Sequence, residues 1–484
     1  MPKTSPHVAI IGAGIGGLAA ALRLAHHGFR TTVLERHSTP GGKMRQVATV
    51  AGPVDAGPTV LTLKPVFEAL FLDVGLQLDE VVTFHRQDML ARHFWHDGTT
   101  LDLMLDPTAS RDNVHAAFGS RSAQEFWAFS AKAQKLFETF DLPMMQTPAP
   151  SLAAVARIVA STPSVIAAMD PMRDLAASLN RQFSDPRLAQ LFARYATYVG
   201  GLPMLVPGLL KLIWHAESQG VWHVEGGMYR LAQCIAEQAT KKGAEFHYDT
   251  HVTQIEPQGE GTFAIQTEAR RFLVDAIVFN GDPRALTTGA LGIACGSAVS
   301  EPAITPRSLS AHVMSFAATP VGLPLAAHNV FFAKDPRDEY APLTKGKMQD
   351  DPTLYICAQD RFGPDPPKGT ERFEIILNSP PLGPDDPSEE LKLQCQTRIL
   401  SQLKDHGLTF APAPDVTTMT GPRDFDQMFP ASNGSLYGRS PHGRMAACQR
   451  PTARTAMKGL YLTGGGAHPG AGVPMAVLSA KHAA

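Results

Sequence analysis

Gly12, Gly14 and Gly17 stand in the pattern G-x-G-x-x-G, and Glu35 follows Gly17 by 18 residues. Such glycines permit a tight turn, a close backbone approach to a pyrophosphate and close packing of a helix on a sheet. The helix that opens there offers free N–H groups and a partial positive charge to phosphate. An acid at the end of the following strand can take the two hydroxyls of an adenosine ribose, and it disfavours a 2′-phosphate. The alternative for Glu35 is a solvated charge at a strand end. The fingerprint admits FAD and NAD alike. A little further on, "PGGKM" sets Gly41 and Gly42 ahead of Lys43, so the chain can pass close to a cofactor with a cation beside it. A plain loop with a surface lysine is the other reading.

These residues need elements to hold them. The apolar run 8–11 ends in glycine, as a buried parallel strand does. Residues 15–27 are rich in Ala and Leu and stop at Gly28, a helix stop. Residues 31–34 supply a second strand, completing a βαβ unit. The segment 106–220 is helical in pattern, and Phe126, Phe129, Ala133, Leu136, Phe137 and Phe140 share one face. Such a stripe is more often core than ligand site. From 244 to 281 the period becomes strand-like, with strands expected at 245–248, 252–256, 263–267 and 273–280. Residues 312–317 and 329–333 read as two strands around a Pro/Gly turn, and 334–390 as loop-rich. The end returns to strand (460–463), glycines (464–466) and helix (475–484).

The fold class expected is therefore α/β, a Rossmann-type nucleotide-binding domain with an inserted substrate domain of helices and mixed sheet. The first and last segments, 1–105 and 431–484, join 221–286 in the binding domain. The helical region is 106–220, and 287–430 is the substrate domain with sheet.

Composition narrows the function. A net charge of −2 gives no reason to expect nucleic acid. The five cysteines are scattered with no C-x-x-C pair, so neither a metal site nor a disulfide framework is expected. Residues 1–6 are short and polar, unlike a signal peptide. The longest stretch free of Asp, Glu, Lys and Arg, 308–333, contains Pro320, Gly322 and Pro324 and falls short of the roughly 20 apolar residues a membrane span needs.

The βαβ unit, Glu35 and G-G-K together resemble the FAD-binding start of the amine oxidase, protoporphyrinogen oxidase and phytoene desaturase superfamily. "DAGPTVLT" (55–62) and "GLYLTGGGAHPGAGVPMAVLSA" (459–480) resemble its carotenoid desaturase branch. "GVWHVEGGMYRLAQCIA" (220–236) and "THVTQIEPQG" (250–259) fit as well. Within that branch, "ARHFWHDGTTLDL" (91–103) and "FDLPMMQTPAPS" (140–151) are most similar to the hydroxycarotenoid 3,4-desaturases, or methoxyneurosporene dehydrogenases, of spheroidene and spirilloxanthin synthesis in phototrophic bacteria.

The resemblance implies FAD as cofactor and roles for particular residues. Gly12, Ala13, Gly14, Gly16 and Gly17 would line the pyrophosphate, Glu35 would hold the ribose, and Arg36 would flank the adenine. Gly42 and Lys43 would approach the phosphates and ribityl chain, Pro58 and Thr59 the isoalloxazine ring, and Val252 the adenine through its backbone. Gly465, Val473 and Met475 would follow the ribityl chain and pyrimidine edge. Two positions depart from the family pattern: Lys43 where Arg is frequent, and Gly465 where an acid is frequent.

The implied reaction is hydride transfer from an acyclic 1-hydroxy or 1-methoxy carotenoid to flavin, with quinone or oxygen as final acceptor. The implied setting is a cytoplasmic protein held peripherally on the inner or intracytoplasmic membrane, with the nearly uncharged 151–168 as contact. The apolar helix faces are the candidate tunnel wall. No catalytic acid or base is assigned. Asp170, Arg173, Asp174, Arg187 and Arg194 are either tunnel residues or solvated helix charges, and His468 is either a proton shuttle or a loop histidine. Competing readings are a phytoene desaturase, a redox-neutral carotenoid isomerase, an amine oxidase and a non-enzymatic flavin or lipid carrier.

Overall fold

Five short apolar strands form the parallel sheet on which the glycine motifs sit. Their order is Leu460–Leu462, Ala276–Phe279, His7–Ile11, Arg30–Leu34 and Glu245–His247, and all neighbours run parallel. The computed structural model describes residues 5–259, 261–363, 367–383 and 388–484. The first helix, Ile15–His26, packs its Ala and Leu side chains fully inside, against the sheet and the helices Met228–Lys241 and Val473–Ala483. Both chain ends thus meet at one sheet, as the patterning requires.

The expected strand 273–280 is two strands. Arg271–Val274 closes an antiparallel three-stranded sheet with Val252–Gly259 and Thr262–Thr267, and Ala276–Phe279 enters the parallel sheet. Asp275 is the joint. Its carboxylate accepts the His7 N–H at 2.7 Å and its own N–H donates to the His7 carbonyl, so the chain changes sheets there without losing backbone pairing.

The segment 334–390 is not simply loop. It holds the helix Pro336–Thr344 and the strands Leu354–Ala358 and Glu371–Ser379, which pair with each other and carry buried Ile356, Phe373 and Ile375. The Pro, Asp and Gly residues collect between these elements, and 364–366 and 384–387, like 1–4, lie outside the described residues. The strands belong to a large mixed sheet with Ser310–Gly322, His328–Phe331 and Leu408–Ala411. Met89–Phe94 and Thr100–Met104 also join it, through a parallel pairing with His328–Phe331. A division of the chain at residue 105 would place these two with the nucleotide-binding sheet. They belong to the other sheet because a strand pairs where its edge is accepted, which a local pattern does not state.

The helical segment covers the large sheet's end. Pro107–Phe140 is capped by Asp106, whose carboxylate accepts the N–H groups of Thr108 and Ala109, and is broken at Gly119 (φ 86°). Its buried stripe is Phe126, Phe129, Ala133, Leu136 and Phe140. Among the described residues no helix is long and apolar enough to cross a membrane, and no His/Cys/Asp/Glu group is placed to hold a metal.

Candidate functional site

One cavity of about 920 Å³ is lined at once by the glycine motifs and by apolar helix faces. Its nucleotide end is built by backbone. Gly12 adopts φ 99°, Gly41 112° and Gly42 58°, conformations that favour glycine. Gly41 donates its N–H to the Ala13 carbonyl at 2.9 Å, which folds the second glycine pair back onto the first motif. A Cβ on Gly42 would stand 3.1 Å from the Gly14 Cα. A Cβ on Gly17 would run into the Gly12 carbonyl oxygen. Gly17 therefore serves helix packing and does not line the cavity, nor does Ala13. The other sequence-derived candidates all do: Gly12, Gly14, Gly16, Glu35, Arg36, Gly42 and Lys43 from the first segment, Pro58, Thr59 and Val252, then Gly465, Val473 and Met475.

Glu35 is buried and already engaged. Its Oε2 accepts the Ala13 N–H at 2.6 Å and its Oε1 the His37 N–H at 2.9 Å, stitching the fingerprint to the second strand. A carboxylate oxygen accepts more than one hydrogen bond, so both oxygens can still take ribose hydroxyls. Arg36 Nη1 is buried with no hydrogen-bond partner. Lys43 donates to the Leu436 carbonyl at 2.5 Å and lies 5.4 Å from the Phe429 ring centroid. Burial pulls its ammonium down to about 8.

Nearer the middle, Thr59 Oγ1 is hydrogen-bonded to Tyr355 at 2.8 Å, and Tyr355 to His328 Nδ1 at 2.7 Å. The Gly465 carbonyl accepts from Arg450 at 2.5 Å, and a Cβ on Gly465 would meet nothing within 4 Å, so an acid would fit where this chain has none. The last helix begins after Gly472 (φ 106°) with no side-chain cap, as the first begins after Gly14. Both helix starts lie on the cavity.

The charged residues of the helical segment separate into two groups. Asp170 pairs with Arg173 at 2.9 Å, Asp174 caps the helix Leu175–Gln182, and Arg187 bridges Asp185 and Asp97. These hold helices together. Arg194 is different: it is buried and faces the cavity. His468 also lines it, with Nε2 hydrogen-bonded to the Thr147 carbonyl at 2.8 Å and Nδ1 buried without a partner. Burial lowers it to about 4, so its ring is neutral at pH 7. Of the apolar stripe, Phe137 and Phe140 reach the cavity, joined by Met144, Leu209 and Ile213.

Sequence reasoning missed Asn280. It ends the strand Ala276–Phe279, donates to the Gly12 carbonyl at 3.1 Å and abuts Gly14, Gly16 and Gly464, so one side chain holds both glycine motifs. A lone amide closing an apolar parallel strand was its only signal. Glu217, Tyr198 and Arg450 were also missed; all three line the cavity.

The donor set suits a dinucleotide cofactor. The two glycine turns clear a path for a pyrophosphate, an acid ends the second strand in the fold's usual order, and half-buried Arg36 has its Nη1 buried without a partner. Residues 15–484 match the flavin containing amine oxidoreductases, and the chain belongs to that family, an enzyme class of flavin-dependent oxidoreductases. Among its relatives, it is 50% identical to the hydroxyneurosporene desaturase of Cereibacter sphaeroides, over 100% of this chain and 98% of that one. It is 29% identical to the 1-hydroxycarotenoid 3,4-desaturase of a Flavobacterium species, over 98% and 97% of the two chains. An oxidoreductase of Methanosarcina mazei shares the fold at a TM-score of 0.62 and 17% identity, over 98% of this chain and 99% of that one.

Proposed function

We propose that this protein is an FAD-dependent desaturase that introduces a C-3,4 double bond into acyclic 1-hydroxy or 1-methoxy carotenoids. The observation that carries the reading is the single cavity, which joins a dinucleotide fingerprint to an apolar chamber walled by Phe137, Phe140, Met144 and Ile213. The names of the relatives support the substrate class. FAD, when bound, supplies an acceptor for the two electrons lost as adjacent carbons each give up a hydrogen.

The chain's own contribution is placement and dryness. Gly12, Gly14 and Gly16 receive the pyrophosphate, Glu35 the ribose, and Val252 the adenine through its backbone. Pro58 and Thr59 would bound the ring, and the start of Val473–Ala483, which has no side-chain cap, lies on the same cavity and favours negative charge there. The apolar helix faces align an uncharged polyene and exclude water. Quinone or oxygen removes the electrons.

The helices Leu152–Ser161 and Pro163–Met169 contain Arg157 as their only charge, and Leu142 and Met172, before and after them in the chain, are exposed. This supports membrane contact there, through which a lipid substrate enters. Limited proteolysis with and without liposomes tests it, and unchanged cleavage across 151–168 counts against it. The reaction itself is tested by anaerobic incubation with FAD, a quinone and a panel of carotenoids. A red shift with hydroxyneurosporene is expected; a shift with phytoene alone refutes the substrate assignment.

A further inference from the structure

A buried polar cluster interrupts the apolar part of the cavity. Arg194, Tyr198 and Glu217 all line it beside Ile213 and Ala216. Arg194 donates to the Tyr198 hydroxyl at 2.7 Å, and Tyr195 donates to Glu217 Oε1 at 2.7 Å. The Arg194 guanidinium lies over Tyr198 and over Tyr355, at 4.8 and 5.4 Å from their ring centroids. Arg194 and Glu217 are 8% and 5% exposed, so water scarcely reaches either. Burying such charges costs several kcal/mol each unless other groups compensate, and hydrocarbon packing would serve stability as well. Their place on a ligand cavity calls for a ligand that needs them.

The cluster is also close to the expected ring position. Arg194 stacks on Tyr355, and Tyr355 is hydrogen-bonded to Thr59. In a substrate oxidised at C-3 and C-4, the C-1 oxygen lies only about 4–5 Å from those carbons along ordinary single bonds. A group that grips this oxygen must therefore sit beside the reacting bond and not at the far end of a tunnel. We propose that Arg194, Tyr198 and Glu217 form the seat for the substrate's C-1 oxygen, which sets C-3 and C-4 at the flavin and selects oxygenated over hydrocarbon carotenoids. Tyr198 and Arg194 can donate to a hydroxyl or a methoxy oxygen, and Glu217 can accept from a hydroxyl. The rest of the polyene then extends along the apolar walls. These are specificity-determining residues; the proposal rests on the desaturase reading above.

The test compares 1-hydroxyneurosporene with neurosporene on the flavin-loaded enzyme. Dissociation constants come from carotenoid absorption shifts, and KM and kcat from product analysis. Tyr198→Phe removes one hydroxyl and keeps the ring under Arg194, and Glu217→Gln keeps the shape. Each is expected to weaken binding of the hydroxylated carotenoid on the order of tenfold, as loss of a hydrogen bond in a charged buried cluster does. Neurosporene binding should stay within about twofold. Flavin content and melting temperature identify a misfolded variant, in which case the other one decides. A wild-type preference that persists in the folded variants refutes the seat alone. A wild-type enzyme that binds the two carotenoids equally refutes the substrate reading and the seat with it.

Discussion

Gly16 is where the two ends of the chain touch, and replacing it with alanine separates a packing effect from a helix-propensity effect. A Cβ there would stand 2.7 Å from the Gly464 nitrogen, 2.8 Å from the Gly464 Cα and 2.8 Å from Asn280 Oδ1. Ordinary contact begins near 3.4 Å, so the first helix and the terminal glycine turn must part by about 0.7 Å. Both opposing Gly464 atoms are backbone and cannot rotate away. Alanine favours an interior helix position by up to about 1 kcal/mol, and less in the first turn. Overpacking costs typically about 1–3 kcal/mol, so the net effect is destabilising. Gly16→Ala should lower the melting temperature by a few degrees. It should also weaken FAD by at least about tenfold, because the displaced turns are ones that line the cavity. Gly465→Ala, which meets nothing within 4 Å, should leave stability within about 0.5 kcal/mol of wild type. Flavin fluorescence titration of the apoprotein and thermal unfolding measure both quantities. A Gly16→Ala protein with wild-type affinity and melting temperature would show that the ends do not pack as described.

Three further outcomes follow from the same geometry. Arg36→Met removes a half-buried guanidinium whose buried Nη1 has no partner, so it should leave apoprotein stability nearly unchanged and weaken FAD about tenfold; equal FAD affinity would remove Arg36 from the site. Ala216→Phe fills the apolar chamber and should cut carotenoid turnover sharply at full flavin content, and normal turnover would exclude that wall. Burial lowers His93 and His328 to about 3 and His312 to about 4, so the unfolded chain takes up their protons first as pH falls below 6.5. Stability should fall progressively between pH 6.5 and 4, by about 3 kcal/mol for each ring at most. A urea midpoint that stays flat from pH 7 to 4.5 contradicts these burial shifts.

Local chemistry made some parts of this protein legible in its residues alone. A short apolar strand, a glycine turn, an Ala-rich helix and an acid are read in a row, because each acts on its immediate neighbours. That 8–11, 31–34 and 460–463 belong to one nucleotide-binding sheet is therefore legible in their residues, though the strand order is not. The joint at Asp275 could not, because 273–280 is apolar on both sides of it and only the hydrogen bonds to His7 divide the run. The strands inside 334–390 were hidden by the Pro, Asp and Gly residues that surround them.

The sequence by itself determined a site fit for a dinucleotide at the two ends of the chain, since glycine conformation and strand-end acid are local requirements. Only the tertiary structure decided what shares the cavity with it. Thr59, the neighbouring pair Arg194 and Tyr198, and Glu217 come from separate parts of the chain, and Asn280 reaches both glycine motifs from another. Each looks ordinary in isolation, as do Asp170 and Arg187, which only make ion pairs around the helices. Burial and proximity distinguish them, and both arise from contacts between residues far apart in the chain.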